Sequence, residues 1–153
     1  FTPLQLANYV ATLVSGGEHY AAHLLKSVKS YDNSRLIYNY DEKPLNDMNI
    51  SDSTMAAVTK GMHDLTHDSL TSAFSRCMVE AGAKTGSAQV GTDIANGVFV
   101  AYAPYDDPEI AVAIVVEKGG SGSLLANAAV DIINAWFSRG SSSVTTGENT
   151  LLQ

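Results

Sequence analysis

Apolar residues near the start of the chain recur at intervals of three and four, at Leu6, Tyr9, Val10 and Leu13. This spacing places them on one face of a helix. Thr2 and Gln5 stand at capping-box spacing, and Pro3 suits the first helical position, so the helix is predicted to begin at Pro3. Gly16-Gly17 provides a left-handed stop. The pattern therefore predicts an amphipathic helix with one buried face.

Two short β-rich segments come next, at 24–28 and 35–40, with the turn sequence Tyr31-Asp32-Asn33-Ser34 between them. They predict a small peripheral hairpin. A second helix is predicted from the capping residue Ser51 to about His67. Its apolar stripe is formed by Met55, Val58, Met62 and Leu65.

Three strand candidates lie close together in the second half, at 79–90, 97–103 and 110–116. The last two are almost wholly apolar, as central strands covered on both faces are. The loop between them, with Pro104 and Pro108, is short enough for an antiparallel pair. A final helix follows, with a buried face predicted at Leu125, Ala129, Ile132 and Trp136. This order predicts an α+β fold: an antiparallel sheet meander flanked by helices on both faces.

Composition fits one ordinary domain and excludes several classes of function. The chain has 153 residues, of which 45% are hydrophobic, so it can bury a core. A net charge of -7 without a basic patch argues against nucleic acid as a partner. The longest apolar runs fall far short of the roughly 18 to 20 residues of a membrane span. We expect residues 1–140 to form the domain and the polar segment 141–153 to be a flexible tail.

The most informative chemistry is Lys84-Thr85-Gly86, in the first strand candidate. Lys-Thr-Gly is one of the three signatures of penicillin-interacting serine enzymes. Lysine supplies a fixed positive charge, the neighbouring hydroxyl can bind a carboxylate, and glycine removes the side chain that would block a ligand along the strand. Lys84 and Thr85 point to opposite faces of a strand, so both serve one site only if that strand lies at the edge of a cleft.

Four sequence blocks, at 2–9, 82–89, 96–104 and 108–112, resemble the transpeptidase domain of class B penicillin-binding proteins, especially the elongation type. The resemblance covers about residues 1 to 137. It implies part of a penicillin-binding/β-lactamase-like transpeptidase fold. It also implies a D,D-transpeptidase that cross-links peptidoglycan stem peptides through a serine acyl-enzyme and is trapped by β-lactams, which resemble D-Ala-D-Ala. The parent protein would act at the outer face of the bacterial cytoplasmic membrane, anchored by an N-terminal segment.

The resemblance also implies roles for residues 84–88. Lys84 and Thr85 would bind the terminal carboxylate of substrate or drug, and Lys84 would influence local proton affinities. Gly86 would permit close approach, and the backbone N–H of Ser87 would be one oxyanion-hole donor. The expected catalytic residues are thus Lys84 and Ser87, and the expected substrate-binding residues are Lys84, Thr85, Gly86, Ser87 and Ala88. The family often has Thr where Ser87 stands, which a backbone role tolerates.

The family's nucleophile belongs to a Ser-x-x-Lys motif, and no lysine of this chain has serine three positions before it; the lysines are Lys26, Lys29, Lys43, Lys60, Lys84 and Lys118. Ser-x-Asn is also absent, and Tyr31-Asp32-Asn33 matches a Tyr-x-Asn variant only formally. We therefore expect a C-terminal fragment whose Ser-x-x-Lys and Ser-x-Asn regions precede Phe1, and which is inactive alone. An exposed cleft wall would favour a homodimer or binding of the missing upstream half.

Two alternatives to a transpeptidase stay open. One is a D,D-carboxypeptidase or β-lactamase of the same superfamily, in which water attacks the acyl-enzyme quickly. The other is a non-catalytic sensor domain that binds β-lactams or muropeptides reversibly.

No cofactor or metal site is expected from the remaining residues. His63 and His67 have the spacing of a zinc pair, but no third ligand is evident, and a solvated helix face is favoured. Segment 119–123 is interpreted as a turn and cap, and Cys77 as an ordinary thiol. Tyr102 and Trp136 fit core packing.

Overall fold

The computed structural model describes residues 1–90 and 94–140. The helices in these ranges are α1 (Pro3–Val14), α2 (Asp52–His67), α3 (Thr71–Phe74) and α4 (Ala126–Phe137). The strands are β1 (Glu18–Tyr20), β2 (Ser27–Lys29), β3 (Leu36–Asn39), β4 (Pro44–Asp47), β5 (Gly82–Gln89), β6 (Ala95–Ala103) and β7 (Ile110–Val116). Two short 3₁₀ helices cover Gly122–Leu125 and Ser138–Gly140. The tail predicted for 141–153 lies outside the described residues.

The main sheet is an antiparallel meander in the order β5-β6-β7, as the sequence predicts. The register places Lys84 of β5 opposite Val100 of β6 and Gly86 opposite Val98. β6 is the central strand, and Phe99, Ala101 and Tyr102 on it are fully buried. The first strand is shorter than the predicted 79–90, because residues 79–81 lead into it outside the ladder, although the Glu80 carbonyl accepts from the Tyr105 N–H at 2.9 Å.

Helices cover both faces of this sheet. Side chains alternate along β6, so Phe99 and Ala101 face one side and Tyr102 the other. The first side packs on α3 and α4 through a cluster of buried residues: Leu70, Ala73, Ala81, Ala83, Phe99, Ala101, Ala103, Val112, Ala126, Ala129 and Ile133. The second side packs on α1 and α2 through Val10, Leu13, Met62 and Tyr102. The predicted α+β arrangement is confirmed.

Local signals place the first two helices correctly. The capping box is present, since the Gln5 N–H donates to Thr2 Oγ1 at 3.2 Å and the Thr2 N–H donates to Gln5 Oε1 at 2.8 Å. The side chain of Ser51 accepts from the Thr54 N–H at 3.3 Å, and α2 ends at His67. None of the described helices combines the length and hydrophobicity needed to cross a bilayer.

The predicted peripheral hairpin is formed by β2 and β3. In its turn the Ser30 and Ser34 hydroxyls donate to the Asp32 carboxylate, which lowers the pKa of that carboxyl to about 2. A second ribbon, β1 with β4, was not predicted. Its strands have three and four residues, are largely polar and lie on either side of the inner hairpin, so no period-2 pattern is visible.

The buried face predicted for the last helix is correct at Ala129 and at Leu125, which packs against the core, and wrong at Ile132 and Trp136. Ile132 is 44% exposed and Trp136 is 38% exposed, whereas Val130 and Ile133 are fully buried with Ala129. The face of α4 that packs on the sheet carries Ala126, Ala129, Val130 and Ile133, at intervals of three and four. Trp136 lies instead under the Arg139 guanidinium, 5.0 Å from its ring centroid.

The 3₁₀ helix Gly122–Leu125 lies directly against β5 and β6. A Cβ atom at Gly122 would overlap the carbonyl oxygens of Val98 and Gly86 and would stand 2.8 Å from the Gly86 nitrogen. Backbone atoms of a paired strand cannot move aside without breaking ladder hydrogen bonds. Only glycine therefore fits at this position.

Replacing Gly122 tests this close approach. Gly122→Ala is expected to lower the free energy of unfolding by about 1–3 kcal/mol, because the added methyl group overpacks the contact. The matched control is Gly61→Ala in α2, where a Cβ meets nothing within 4 Å and helix propensity favours alanine by up to about 1 kcal/mol. Urea unfolding of the chain measures both; equal stability of Gly122→Ala and wild type would contradict the packing.

Candidate functional site

The five residues predicted to bind substrate, 84–88, lie consecutively on β5. β5 pairs with β6 on one side, and no described strand pairs with its other side. Alternate N–H and C=O groups of an edge strand point away from the sheet. β5 therefore offers a row of backbone donors and acceptors to an extended ligand.

Lys84 and Thr85 occupy this edge on opposite faces, as strand alternation requires. Lys84 is exposed and Thr85 half-buried. Nζ of Lys84 donates to the carbonyl oxygen of Thr85 at 2.8 Å, which holds the ammonium group next to the strand backbone. The edge position meets the condition under which both side chains can serve one ligand.

A pocket of about 390 Å³ opens beside Lys84, between α1, α2 and the sheet. Its lining is mainly apolar and includes Tyr9, Val58, Met62 and Val100. Tyr9 and Val58 are 63% and 39% exposed, so this wall is accessible in the chain described. An ammonium group at the rim of an apolar pocket suits a ligand that has an anionic end and an apolar body.

Gly86 has space on its own face of the sheet. A Cβ there would first meet Val98 Cβ, at 3.4 Å, which is ordinary van der Waals contact. The backbone of Gly122 lies against the Gly86 peptide and limits how far β5 can move on that side. Sequence analysis missed this role for Gly122, although its interpretation of segment 119–123 as a turn and cap is confirmed: Ser121 accepts from the Ser123 N–H at 3.4 Å.

Ser87 and Ala88 are exposed on the last part of β5, opposite Gly97 and Asn96 of β6. Neither side chain is needed for sheet packing. Backbone groups alternate along a strand, so one of these two residues directs its N–H and C=O toward β6 and the other toward the open edge.

Tyr102 of β6 packs against Gly82, the first residue of β5. A Cβ at Gly82 would collide with the Tyr102 ring, so glycine at 82 makes room for it. The phenol is buried, and its hydroxyl has no hydrogen-bond partner among the described residues. Burial, with smaller contributions from Tyr105 and Asp106, raises the pKa of Tyr102 to about 12. Tyr102 is a core residue, as predicted, whereas Trp136 is not.

The two histidines of α2 are joined by a third group that the sequence did not reveal. Glu80, from the segment before β5, places Oε2 3.0 Å from Nε2 of both His63 and His67. The interpretation as a purely solvated helix face is incomplete, since the His63 side chain is only 25% exposed. The signal that was missing is tertiary, because Glu80 lies thirteen positions after His67 in the chain.

The other candidates keep structural roles. Tyr31 is 95% exposed in the hairpin turn, which agrees with a surface position for Tyr31-Asp32-Asn33. Cys77 is a half-buried free thiol that packs against the core.

Comparison with known proteins gives one consistent family. Residues 1–134 match the penicillin binding protein transpeptidase domain. Penicillin-binding protein 2B of Streptococcus pneumoniae is 34% identical over an alignment of 154 positions, and the aligned region covers 89% of this chain and 22% of that protein. Peptidoglycan D,D-transpeptidase MrdA of Acinetobacter baumannii is 27% identical over 151 residues, with 89% and 22% covered. The chain thus spans about a fifth of the length of these relatives.

Solved structures agree. Penicillin-binding protein 2B of S. pneumoniae superposes with a TM-score of 0.77 at 32% identity, covering 89% of this chain and 24% of that one. Penicillin-binding protein A of M. tuberculosis, solved as its imipenem acyl-enzyme complex, gives 0.77 at 28% identity, covering 90% and 31%. The fold expected from the sequence is therefore confirmed as part of this transpeptidase fold. The chain belongs to the penicillin-binding protein transpeptidase domain family.

Proposed function

We propose that this chain is the part of an elongation-type peptidoglycan D,D-transpeptidase that holds the terminal carboxylate of the substrate and supplies one oxyanion-hole donor. The observation that carries the proposal is the placement of Lys84, Thr85, Gly86 and Ser87 along the open edge of β5. The exposed ammonium group of Lys84 beside an apolar pocket supports it.

In this proposal the D-Ala-D-Ala end of a stem peptide lies along β5. Its carboxylate meets the Lys84 ammonium and the Thr85 hydroxyl, a charge-assisted pairing that also fits the carboxylate of a β-lactam. Gly86 keeps the strand clear of side-chain atoms. The N–H of Ser87 donates to the carbonyl oxygen as it becomes negative, and such a donor stabilises the intermediate by about 3 to 4 kcal/mol.

The nucleophile comes from elsewhere in the longer protein. A serine Oγ attacks the carbonyl carbon of the last peptide bond, that bond breaks, and the terminal D-Ala leaves as the amine. An amine of a second stem peptide then takes the acyl group and releases the serine. Since Ser-x-x-Lys and Ser-x-Asn are absent here, we propose that this chain alone forms no acyl-enzyme. The substrate places the parent at the outer face of the cytoplasmic membrane, held by an N-terminal anchor.

Penicillin labelling tests the assignment. In intact cells the full-length protein is expected to be labelled covalently by fluorescent penicillin at a serine upstream of Phe1, while the 153-residue chain gains no drug mass in intact-mass spectrometry. Lys84→Met should slow labelling, because the drug carboxylate loses its cation, and the exposed Lys43→Met should not.

A full-length protein that never acylates would contradict the proposal, and reversible binding without an adduct would favour a sensor. Rapid release of the drug by water would favour a β-lactamase or carboxypeptidase. An adduct on the isolated chain would show that it contains its own nucleophile.

Gly86→Ala separates binding from folding. A Cβ at this position has room, so the free energy of unfolding should stay within about 0.5 kcal/mol of wild type. Acylation of the full-length protein should nevertheless fall by about 10²-fold or more, because the methyl group keeps the ligand from the strand and so from the Ser87 N–H, and the loss of one oxyanion-hole donor has an effect of that size. Stopped-flow acylation and urea unfolding measure the two; normal acylation would contradict the placement of the ligand on β5.

We further propose that the upstream part of its own domain packs on the exposed sheet edges and apolar surface of this chain. When that part is missing, a second copy of the chain would cover them. The unpaired edges of β5 and β7 among the described strands and the exposed Tyr9 and Val58 support this. Light scattering of the isolated chain should give the mass of a dimer, and addition of the upstream segment should replace it with a one-to-one complex. A well-folded monomer that does not bind the segment would contradict both the dimer and the complex.

A further inference from the structure

The cluster formed by His63, His67 and Glu80, here called the His-His-Glu cluster, joins two elements. His63 and His67 lie one turn apart on α2, and Glu80 comes from the segment that leads into β5. Both Nε2 atoms are 3.0 Å from the same carboxylate oxygen, Oε2 of Glu80. One potential ligand atom from each residue falls within 4.8 Å of the others.

Hydrogen bonds fix the tautomer of His67. Its Nδ1 lies 3.2 Å from the carbonyl oxygen of His63 and 3.1 Å from the hydroxyl of Thr66. A carbonyl oxygen only accepts, so Nδ1 carries the proton and donates. In the neutral imidazole the lone pair is then on Nε2, which faces the Glu80 carboxylate. Two lone-pair atoms at 3.0 Å repel each other unless a cation lies between them or Nε2 is protonated as well.

We propose that the His-His-Glu cluster binds a zinc-type divalent metal ion. Two imidazole nitrogens and one carboxylate oxygen are ligands that Zn²⁺ accepts, whereas Ca²⁺ and Mg²⁺ prefer oxygen alone. Ligand atoms at tetrahedral Zn²⁺ lie about 3.3 Å apart, given bonds of about 2.0–2.1 Å. The two nitrogen-to-oxygen distances of 3.0 Å are close to that spacing, and all three ligand atoms lie within 4.8 Å of one another.

The surroundings suit a bound ion. The Nδ1 contact of His67 with the His63 carbonyl is the outer hydrogen bond that metal-bound histidines make. His67 and Glu80 are 52% and 62% exposed, which leaves a fourth position for water. The Tyr105 ring covers the other side of His63, with ring centroids 4.2 Å apart.

The ion would act on structure and not on the acyl transfer. Glu80 precedes Lys84 by four residues, or about 13 Å of extended chain, so the metal does not reach a ligand on β5. It would tie the end of α2 to the start of β5, beside the Thr66 hydroxyl that already donates to the Ala81 carbonyl at 3.0 Å. Bound metal is thus expected to stabilise the strand that carries Lys84.

Cobalt provides a spectroscopic test. Titration of the metal-free chain with Co²⁺ should give visible d–d bands that saturate at one equivalent and disappear on addition of Zn²⁺. Glu80→Gln and His67→Gln should each weaken binding by about 100-fold or more. His23→Gln is the matched control, because His23 stacks on Tyr40, away from the cluster, and should bind as wild type does.

Thermal unfolding supplies a second measurement. Zn²⁺ should raise the Tm of the wild type and of His23→Gln, but not that of Glu80→Gln, an exposed and near-isosteric change that is expected to fold. Circular dichroism of each variant checks folding. Absence of saturable Co²⁺ binding, or binding that survives both substitutions, would overturn the proposal. Neither result would alter penicillin labelling, so failure of this proposal is distinct from failure of the transpeptidase assignment.

Discussion

Burial of β6 on both faces is the constraint from which the rest of the structure follows. Phe99 and Ala101 pack toward α3 and α4, while Tyr102 packs toward α1 and α2, so β6 is central and its register is fixed. β5 then lies along one side of β6 with its other edge unpaired in the described chain. The substrate-binding role proposed for β5 depends on that edge, because only an edge strand can present alternate backbone groups to a ligand.

Two glycines allow other parts of the chain to pack closely against β5. Gly82 admits the Tyr102 ring, and Gly122 allows the 3₁₀ helix to lie on the Gly86 peptide. Any larger side chain at Gly122 would displace the backbone that carries Lys84 and Ser87. Stability and the proposed substrate binding therefore both require β5 to stay in this position. Gly86 is the position where a substitution should affect substrate binding without affecting stability, since a methyl group fits there when no ligand is present.

The sequence predicts those features that short-range signals determine. Caps at Thr2 and Ser51 place two helices, and the apolar runs at 97–103 and 110–116 place two strands. The buried face of α4 was partly mispredicted because apolar residues occur on two sides of this helix, and the spacing that joins Ala129 to Ile132 and Trp136 fits as well as the spacing that joins Ala129 to Ala126, Val130 and Ile133. The β1–β4 ribbon and the contact of Glu80 with the α2 histidines are tertiary, and no local period encodes them.

In the proposed assignment, β5 orients the substrate, whereas no Ser-x-x-Lys motif occurs in these 153 residues. The most direct test is a crystal structure of the full-length protein acylated by a β-lactam. The drug carboxylate should lie within hydrogen-bond distance of Lys84 Nζ or Thr85 Oγ1, with its acyl oxygen accepting from the Ser87 N–H. A covalent adduct whose carboxylate and acyl oxygen make no contact with β5 would contradict the assignment.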